Sequence, residues 1–140
     1  MAERLEVSAT WRGGYESCVR ARTHEIAVDE PDSAGGGDRG MMPTEVFCAS
    51  LASCFCLALA HVAAKRGREL PGLRVVVRAE RAGRELRYHR FDVEALAEVP
   101  DDQLAPLLEP ARRVCWVSNT IAHEVELSYH STSVEERPRR

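Results

Sequence analysis

The sequence predicts an α+β fold, because segments with strand-like alternation lie on both sides of one long apolar helix. Three predicted strands precede this helix, and two strands, a second helix and a last strand follow it. The 140 residues suit one domain, since domains commonly hold roughly 100–150 residues. We expect this domain to span residues 1–130 and residues 131–140 to form a disordered tail.

The predicted strands before the helix are short. In the first strand every second residue is apolar or small, namely Leu5, Val7, Ala9 and Trp11. A Gly13-Gly14 turn follows, and residues 17–22 and 25–28 are predicted as the next two strands. Residues 29–43 are predicted to be a loop, because its three consecutive glycines disfavour any regular element.

The long helix is predicted to begin at Pro43 and Thr44 and to end near Arg66, where Gly67 provides a stop. Residues 46–64 are apolar nearly all round, and their number approaches the roughly 20 residues of a membrane span. Small residues dominate the helix and amphipathic strands flank it, which favours a helix inside a soluble protein without a membrane partner. One small domain covers such a helix poorly, which indicates a dimer with a shared core.

Two strands are predicted after a Pro71-Gly72 turn. The first covers residues 73–79, and the second runs from about residue 86 to residue 98. The apolar residues of the second strand switch along its length from even positions, such as Tyr88, to odd positions, such as Phe91. A β-bulge near His89-Arg90 restores a single apolar face.

The last predicted elements are a helix and a strand. Residues 100–102 carry a helix-start signal that leads into a helix over residues 104–114, and Pro106 and Pro110 predict that this helix is kinked or split. Alternating apolar residues predict a final strand over residues 121–129.

Charge and cysteine usage restrict the class of function. The net charge is −3 and the pI is near 6.0, so the chain has no general attraction to nucleic acid or to anionic membranes. The N-terminal residues lack a signal-peptide pattern, from which we expect a cytoplasmic protein. The odd number of cysteines argues against a secreted disulfide scaffold; they are Cys18, Cys48, Cys54, Cys56 and Cys115.

Cys54 lies in the middle of the apolar helix, where composition alone favours a packing role for a cysteine. A reactive thiolate three turns into a helix gains little from the helix dipole and needs a nearby cation. Arg39, in the glycine-rich loop before the helix, is our first candidate for that cation, and Arg12 is the second.

Cys115 lies where a predicted helix gives way to a predicted strand, a place where a thiol can move toward a partner. A distant pair such as Cys54 and Cys115 suits a peroxide cycle, in which a sulfenic acid on one thiol condenses with the other. This chemistry needs no metal and no organic cofactor. Zinc is disfavoured, because Cys54 and Cys56 point roughly 200° apart on a helix and no CxxC pair is present.

Two further polar residues of the helix have less direct roles. Glu45 lies opposite Cys54 on the helical wheel, where it can cap the helix start or pair with Arg39. His61 lies about 10 Å from Cys54 along the helix, which favours a packed or interface histidine over a direct couple. We expect structural roles for Cys18, Cys48 and Cys56.

The chain resembles the OsmC/Ohr family of hydroperoxide reductases from the first strand to Tyr129. Four segments carry the resemblance: Asp29-Glu-Pro31, Gly36-Gly-Asp-Arg-Gly40 leading into Pro43-Thr-Glu45, Ala49-Ser-Leu-Ala-Ser-Cys54, and Cys115-Trp-Val-Ser-Asn-Thr120. The order and separation of the two cysteine motifs make the resemblance specific.

The resemblance implies an intertwined homodimer, with antiparallel sheets packed around long central helices and two active sites at the subunit interface. It implies that Cys54 attacks the peroxide and that Cys115 resolves the product as a Cys54–Cys115 disulfide. The implied substrates are organic hydroperoxides, including those of fatty acids, and the implied reductant is a dithiol such as a lipoylated protein. The alternative is an OsmC-like dimer with a redox-sensing role, or one that binds small apolar ligands.

The chain departs from the Ohr branch at three positions. Tyr15 stands where that branch has its activating arginine, so we assign the role to Arg39. Thr44 aligns with the Ohr glutamate, while its neighbour Glu45 matches a glutamate of other OsmC-like members. Trp116 stands where a proline often follows the resolving cysteine. These departures place the chain among OsmC-like proteins rather than true Ohr proteins.

Overall fold

The computed structural model describes residues 4–134, so residues 135–140 of the predicted tail lie outside the described residues. The fold is α+β, as predicted: strands β1–β3 precede the long helix α1, and strands β4 and β5 and three short helices follow it. The strands form two antiparallel sheets, one of three strands and one of two. Residues 131–134, the described part of the tail, form no helix or strand and are exposed.

The first sheet has the order β1-β2-β3, with strands at Ser8–Gly13, Glu16–Ala21 and His24–Val28. The turn between the first two strands falls at Gly13 and Gly14, as predicted, and both have positive φ values of 104° and 55°. No residue of this sheet belongs to the main hydrophobic cluster of the described chain. Trp11 is consequently 74% exposed.

Helix α1 runs over Pro43–Lys65, within one residue of the predicted limits. At its start the backbone N–H of Met42 donates to Oε1 of Glu45 at 2.9 Å, which satisfies a donor that the helix leaves unpaired. At its end Gly67 has φ +65°, and the N–H of Arg68 donates to the carbonyl of Ala63 at 2.9 Å. The prediction that Glu45 caps the helix is confirmed.

By length and composition α1 could also cross a membrane, a property that core helices of soluble proteins share. Six of its side chains are buried and form the centre of the hydrophobic cluster: Leu51, Phe55, Ala58, Leu59, Val62 and Ala63. Only 33% of its most apolar 18-residue window is buried within one chain. Most of this window is therefore accessible in the single chain, as far as residues 4–134 describe it.

The second sheet pairs β4, Arg74–Arg81, with β5, Tyr88–Leu96. Glu80 pairs with Arg90 and Arg81 pairs with Tyr88, so His89 is an extra residue in β5. The predicted bulge is confirmed. The bulge lets β5 keep apolar side chains on the face that packs against α1, through Phe91, Val93 and Ala95.

The predicted second helix is split, as its prolines indicated. Helix α2 covers Asp101–Leu104, a 3-10 turn covers Ala105–Leu107, and helix α3 covers Leu108–Val114. Pro106 lies within the 3-10 turn, because it has no backbone N–H to continue an α-helical ladder.

The prediction of a final strand over residues 121–129 is wrong for the single chain that the structure describes. Trp116–Ile121 forms a fourth helix, α4, and residues 124–134 form no helix or strand. A strand needs a neighbour for its backbone hydrogen bonds, and none pairs with this segment among the described residues. Its apolar side chains are instead exposed, with Leu127 at 73% and Tyr129 at 88%.

Candidate functional site

Cys54 lies about three turns into α1 and is half-buried. Its side chain packs against the hydrophobic cluster that α1 forms with the C-terminal helices. The rest of its surface remains accessible in one chain. Cys54 therefore has the partial exposure that a reacting thiol requires.

Cys115 is completely buried, with 0% exposure, and is a member of the same cluster. It lies between α3 and α4 with an extended backbone, φ −85° and ψ 104°, and therefore breaks one helix from the next. The prediction of a helix-to-strand junction is wrong, because a helix follows Cys115. Local hydrogen bonds favour that helix: the N–H of Asn119 donates to the carbonyl of Cys115 at 3.0 Å, and Ser118 Oγ donates to the same oxygen at 3.2 Å.

The tertiary structure brings the two cysteines together from positions 61 residues apart. Helix α1 packs on α3 and α4, so Cys115 is a member of the hydrophobic cluster against which Cys54 packs. The cluster includes Leu51 of α1, Leu107 of the 3-10 turn and Ala111 of α3. Both cysteines are free thiols in this structure.

Arg39 lies on the loop between β3 and α1, and its side chain is 74% exposed. Its Nε is 3.5 Å from Oε1 of Glu16, at the start of β2. No hydrogen bond or ion pair joins Arg39 to Cys54 or to Glu45 among residues 4–134. Within one chain, Glu16 rather than Glu45 is thus the carboxylate partner of Arg39. No sequence pattern indicated Glu16, because its proximity to the loop is a tertiary contact.

The backbone of the Arg39 loop is organised by Asp29, a residue that the sequence analysis named as part of a family-like segment without giving it a role. Asp29 is 2% exposed and its carboxylate accepts three backbone hydrogen bonds. Oδ1 accepts from the N–H of Glu30 at 2.8 Å, and Oδ2 accepts from Gly37 at 3.1 Å and from Arg39 at 3.2 Å. An aspartate followed by a glycine-rich segment was the available signal.

Arg12, the second candidate for the activating cation, lies exposed on β1. The pKa of Glu25 is lowered mainly by a hydrogen bond from Arg20, and the charge of Arg12 contributes least to that lowering. No hydrogen bond or ion pair joins Arg12 to Cys54 or to Glu25 among the described residues.

The other candidate residues are dispersed. Burial, and secondarily the charge of Glu45, raises the pKa of Cys48, so that this cysteine stays a thiol at neutral pH. Cys18 and Cys56 are half-buried, and His61 is exposed on α1. Across residues 4–134 no three His, Cys, Asp or Glu side chains are grouped closely enough to hold a metal ion.

An open cavity of about 650 Å³ lies beside the start of α1. Its apolar walls include Phe47, Leu86 and Phe91, and the rings of Phe47 and Phe91 have centroids 5.7 Å apart. Phe47 precedes Cys54 by seven residues and therefore lies on nearly the same helix face, about 10 Å away along the axis. Phe47 thus lines the cavity from the side of α1 that also carries Cys54, while Cys54 itself is not a lining residue.

Three apolar surfaces are left open in one chain. They are the Trp11 region of the first sheet, the outer face of α1 with Leu57 at 68% exposure, and the C-terminal segment around Leu127. Large apolar side chains that are exposed in a single chain are candidates for contact with a partner.

Comparisons with known proteins agree with this architecture. The family described as "OsmC-like protein" matches residues 35–130. An OsmC-like protein from Mycoplasma pneumoniae has a similar crystal structure, with a TM-score of 0.73 and 14% identity over 87% of this chain and 89% of that chain. No curated protein matches the sequence.

Two further crystal structures share the fold. The organic hydroperoxide resistance protein OhrB of Bacillus subtilis has a TM-score of 0.59 and 22% identity, over 84% of this chain and 89% of that chain. An organic hydroperoxide resistance protein from Elizabethkingia anophelis has a TM-score of 0.60 and 24% identity, over 86% of this chain and 89% of that chain.

Proposed function

Because this chain belongs to the OsmC-like family, we propose that it is a thiol-dependent peroxidase that reduces organic hydroperoxides, including those of fatty acids. One observation carries the proposal: a half-buried Cys54 and a fully buried Cys115 share one hydrophobic cluster. Structurally similar proteins from B. subtilis and E. anophelis are organic hydroperoxide resistance proteins, which supports the same substrate class.

The proposed cycle uses the two thiols in sequence. The Cys54 thiolate attacks one oxygen of the O–O bond; the alkoxide leaves, takes a proton and departs as the alcohol, and Cys54 becomes a sulfenic acid. The Cys115 thiol then condenses with that sulfenic acid, forming the Cys54–Cys115 disulfide and releasing water. An external dithiol reduces the disulfide by two thiol exchanges and is itself oxidised to a disulfide.

The burial of Cys115 has a consequence for this cycle. A side chain with 0% exposure is shielded from bulk peroxide and from most external thiols. The extended backbone between α3 and α4 is a short link that lets the sulfur turn toward Cys54 without unfolding either helix. Burial thus keeps the Cys115 thiol from reacting before Cys54 has been oxidised.

We further propose that the working unit is a homodimer. The uncovered face of α1, the exposed side of the first sheet and the unpaired C-terminal segment are apolar surfaces that two copies can bury against each other. In such a dimer the Arg39 loop of one copy approaches the Cys54 of the other, where its guanidinium stabilises the thiolate. Glu16, 3.5 Å from Arg39 in one chain, orients that guanidinium.

The apolar surroundings support an apolar substrate. The cavity is lined by Phe47 and Phe91, and its apolar walls suit an alkyl or acyl chain. Phe47 lies two turns before Cys54 on nearly the same face of α1. A dithiol-dependent cycle also needs a reducing compartment, and we retain the cytoplasm as the proposed location and a lipoylated protein as the proposed reductant.

A peroxidase assay tests this function. The full-length protein is mixed with cumene hydroperoxide and dihydrolipoamide, and loss of peroxide is followed over many turnovers. Cys54→Ser is expected to abolish turnover, while Cys48→Ser, a neighbouring half-buried cysteine on the same helix, is expected to retain it. Activity that survives in Cys54→Ser would refute the assignment.

The second candidate is a redox-sensing or apolar-ligand-binding dimer without efficient turnover. The open apolar cavity favours ligand binding, and the pairing of Arg39 with Glu16 rather than Cys54 in one chain favours slow oxidation. This candidate predicts a Cys54–Cys115 disulfide that forms once and is not recycled by dihydrolipoamide. Ligand binding predicts thermal stabilisation by fatty acids at stoichiometric concentration.

A further inference from the structure

Asp29 is the charged side chain that is buried in the described part of the chain, with 2% exposure. Burying a carboxylate is costly unless donors compensate it, and here three backbone N–H groups do so, from Glu30, Gly37 and Arg39. These donors lie on both arms of the same loop. The Asp29 carboxylate therefore joins the two ends of the loop, as an anion bound between these N–H groups would.

The loop backbone has little freedom around this carboxylate. A Cβ on Gly36 would lie 2.0 Å from the carbonyl oxygen of Glu30, and one on Gly40 would lie 2.1 Å from that of Ala27. Asp38, between Gly37 and Arg39, has a φ of +52°, and its N–H donates to the carbonyl of Glu30 at 3.0 Å. Because Gly36 and Gly40 have no side chain, the loop backbone packs closely against the end of β3. The hydrogen bonds to Asp29 stabilise it in that position.

One of the three bonds reaches Arg39 itself. Oδ2 of Asp29 accepts the backbone N–H of Arg39, so it determines where the Arg39 side chain leaves the loop. The same side chain then meets Glu16 at 3.5 Å. Two carboxylates thus hold the one basic residue of this loop, one through its backbone and the other through its guanidinium.

We propose that Asp29 is a positioning residue for Arg39, acting through the loop backbone to set where the guanidinium stands relative to the reacting thiol. The inference rests on the proposed function, in which Arg39 stabilises the Cys54 thiolate. Its physical basis is that a displacement of about 1 Å in a catalytic group can cost roughly a hundredfold in rate. Asp29 does not touch the substrate in this scheme.

The test reads the state of the thiol directly, without peroxide. The reduced full-length protein is alkylated with iodoacetamide between pH 5 and pH 9, and modification of Cys54 is quantified by tandem mass spectrometry. The rate follows the thiolate fraction. Arg39→Gln is expected to lower the rate at neutral pH about tenfold and to move the profile to higher pH, as loss of a close cation does.

Asp29→Ala is expected to lower the rate almost as far as Arg39→Gln, and the double variant is expected to fall no further, because both act through one group. Asp29→Asn keeps one acceptor oxygen and should produce a smaller loss, of about threefold. Asp38→Asn is the matched control: it removes a charge from the same loop without removing a side-chain hydrogen bond of the described structure, and should leave the profile unchanged.

A second measurement follows the loop itself. Arg39 is the only lysine or arginine between residues 29 and 42, so limited trypsin digestion reports on the exposure of the Arg39–Gly40 bond. Asp29→Asn should be cut there faster than wild type and faster than Asp38→Asn. If Asp29→Ala does not fold, Asp29→Asn decides the question alone.

The results separate the inference from the function on which it rests. If Arg39→Gln slows Cys54 alkylation but the folded Asp29 variants do not, the positioning role is refuted and the function stands. If Arg39→Gln has no effect, Arg39 is not the activating cation and the positioning role of Asp29 is refuted with it, whereas the peroxidase function is decided separately by Cys54→Ser. If Asp29→Asn lowers the rate equally in the Arg39→Gln background, Asp29 acts on general stability and the inference is overturned.

Discussion

Replacement of Cys115 separates its packing role from its chemical role. The side chain is 0% exposed and belongs to a cluster of buried apolar residues, among them Leu59, Leu107 and Ala111, whose side chains offer no hydrogen-bond partner. Cys115→Ser buries a hydroxyl in that apolar cluster, at a cost of about 1–3 kcal/mol. Cys115→Ala removes only the sulfur and leaves a small cavity, which costs about 1 kcal/mol.

The stability difference is measurable in a chain of this size. For 140 residues each kcal/mol lowers the Tm by about 3–4 °C. We expect Cys115→Ser to melt about 3–10 °C below wild type, and Cys115→Ala to lose about 3–4 °C. Thermal unfolding by circular dichroism under reducing conditions compares the three proteins. Equal Tm values for the serine variant and wild type would refute the apolar surroundings deduced for Cys115.

The chemical effect is expected to be the same in both variants, because both lack the resolving thiol. One equivalent of cumene hydroperoxide should leave a Cys54 sulfenic acid that persists and reacts with dimedone, whereas wild type should pass quickly to the disulfide. Multiple turnovers with dihydrolipoamide should fall by at least tenfold, in the range of a lost catalytic group. Unchanged turnover in Cys115→Ala would show that another thiol resolves the sulfenic acid.

The remaining predictions concern the uncovered helix and one surface ion pair. Leu57→Glu adds a charge to the exposed face of α1. We expect sedimentation to show a shift from dimer to monomer, while the helical signal in circular dichroism is retained. A wild-type protein that sediments as a monomer would refute the shared core. The hydrogen bond from Arg112 lowers the pKa of Glu109 to about 2, below its unfolded value near 4.5. The ionised carboxylate therefore stabilises the fold above pH 4.5, and this contribution is lost as the pH falls toward 2. Glu109→Gln should therefore lower the Tm slightly at pH 6 and not at pH 2, and a difference that grows as the pH falls would contradict the sign.

The sequence alone determined those features that depend on local interactions. The limits of α1 follow from Pro43 and Gly67, which act on the backbone beside them. The bulge at His89 was visible as a change in parity along one strand, and the split second helix as a proline within a helical pattern. The choice of Cys54 and Cys115 came from the resemblance to a family, since composition alone favoured a packing role for Cys54.

Only the tertiary structure decided the features that depend on distant partners. The apolar alternation over residues 121–129 is real, but a strand forms only where another strand accepts its hydrogen bonds, and within residues 4–134 no strand pairs with this segment. Glu16 and Asp29 hold Arg39 from different elements, and no local pattern records that proximity. The common surroundings of Cys54 and Cys115 likewise depend on the packing of α1 against α3 and α4, because contacts between residues 61 positions apart arise from folding rather than from local preference.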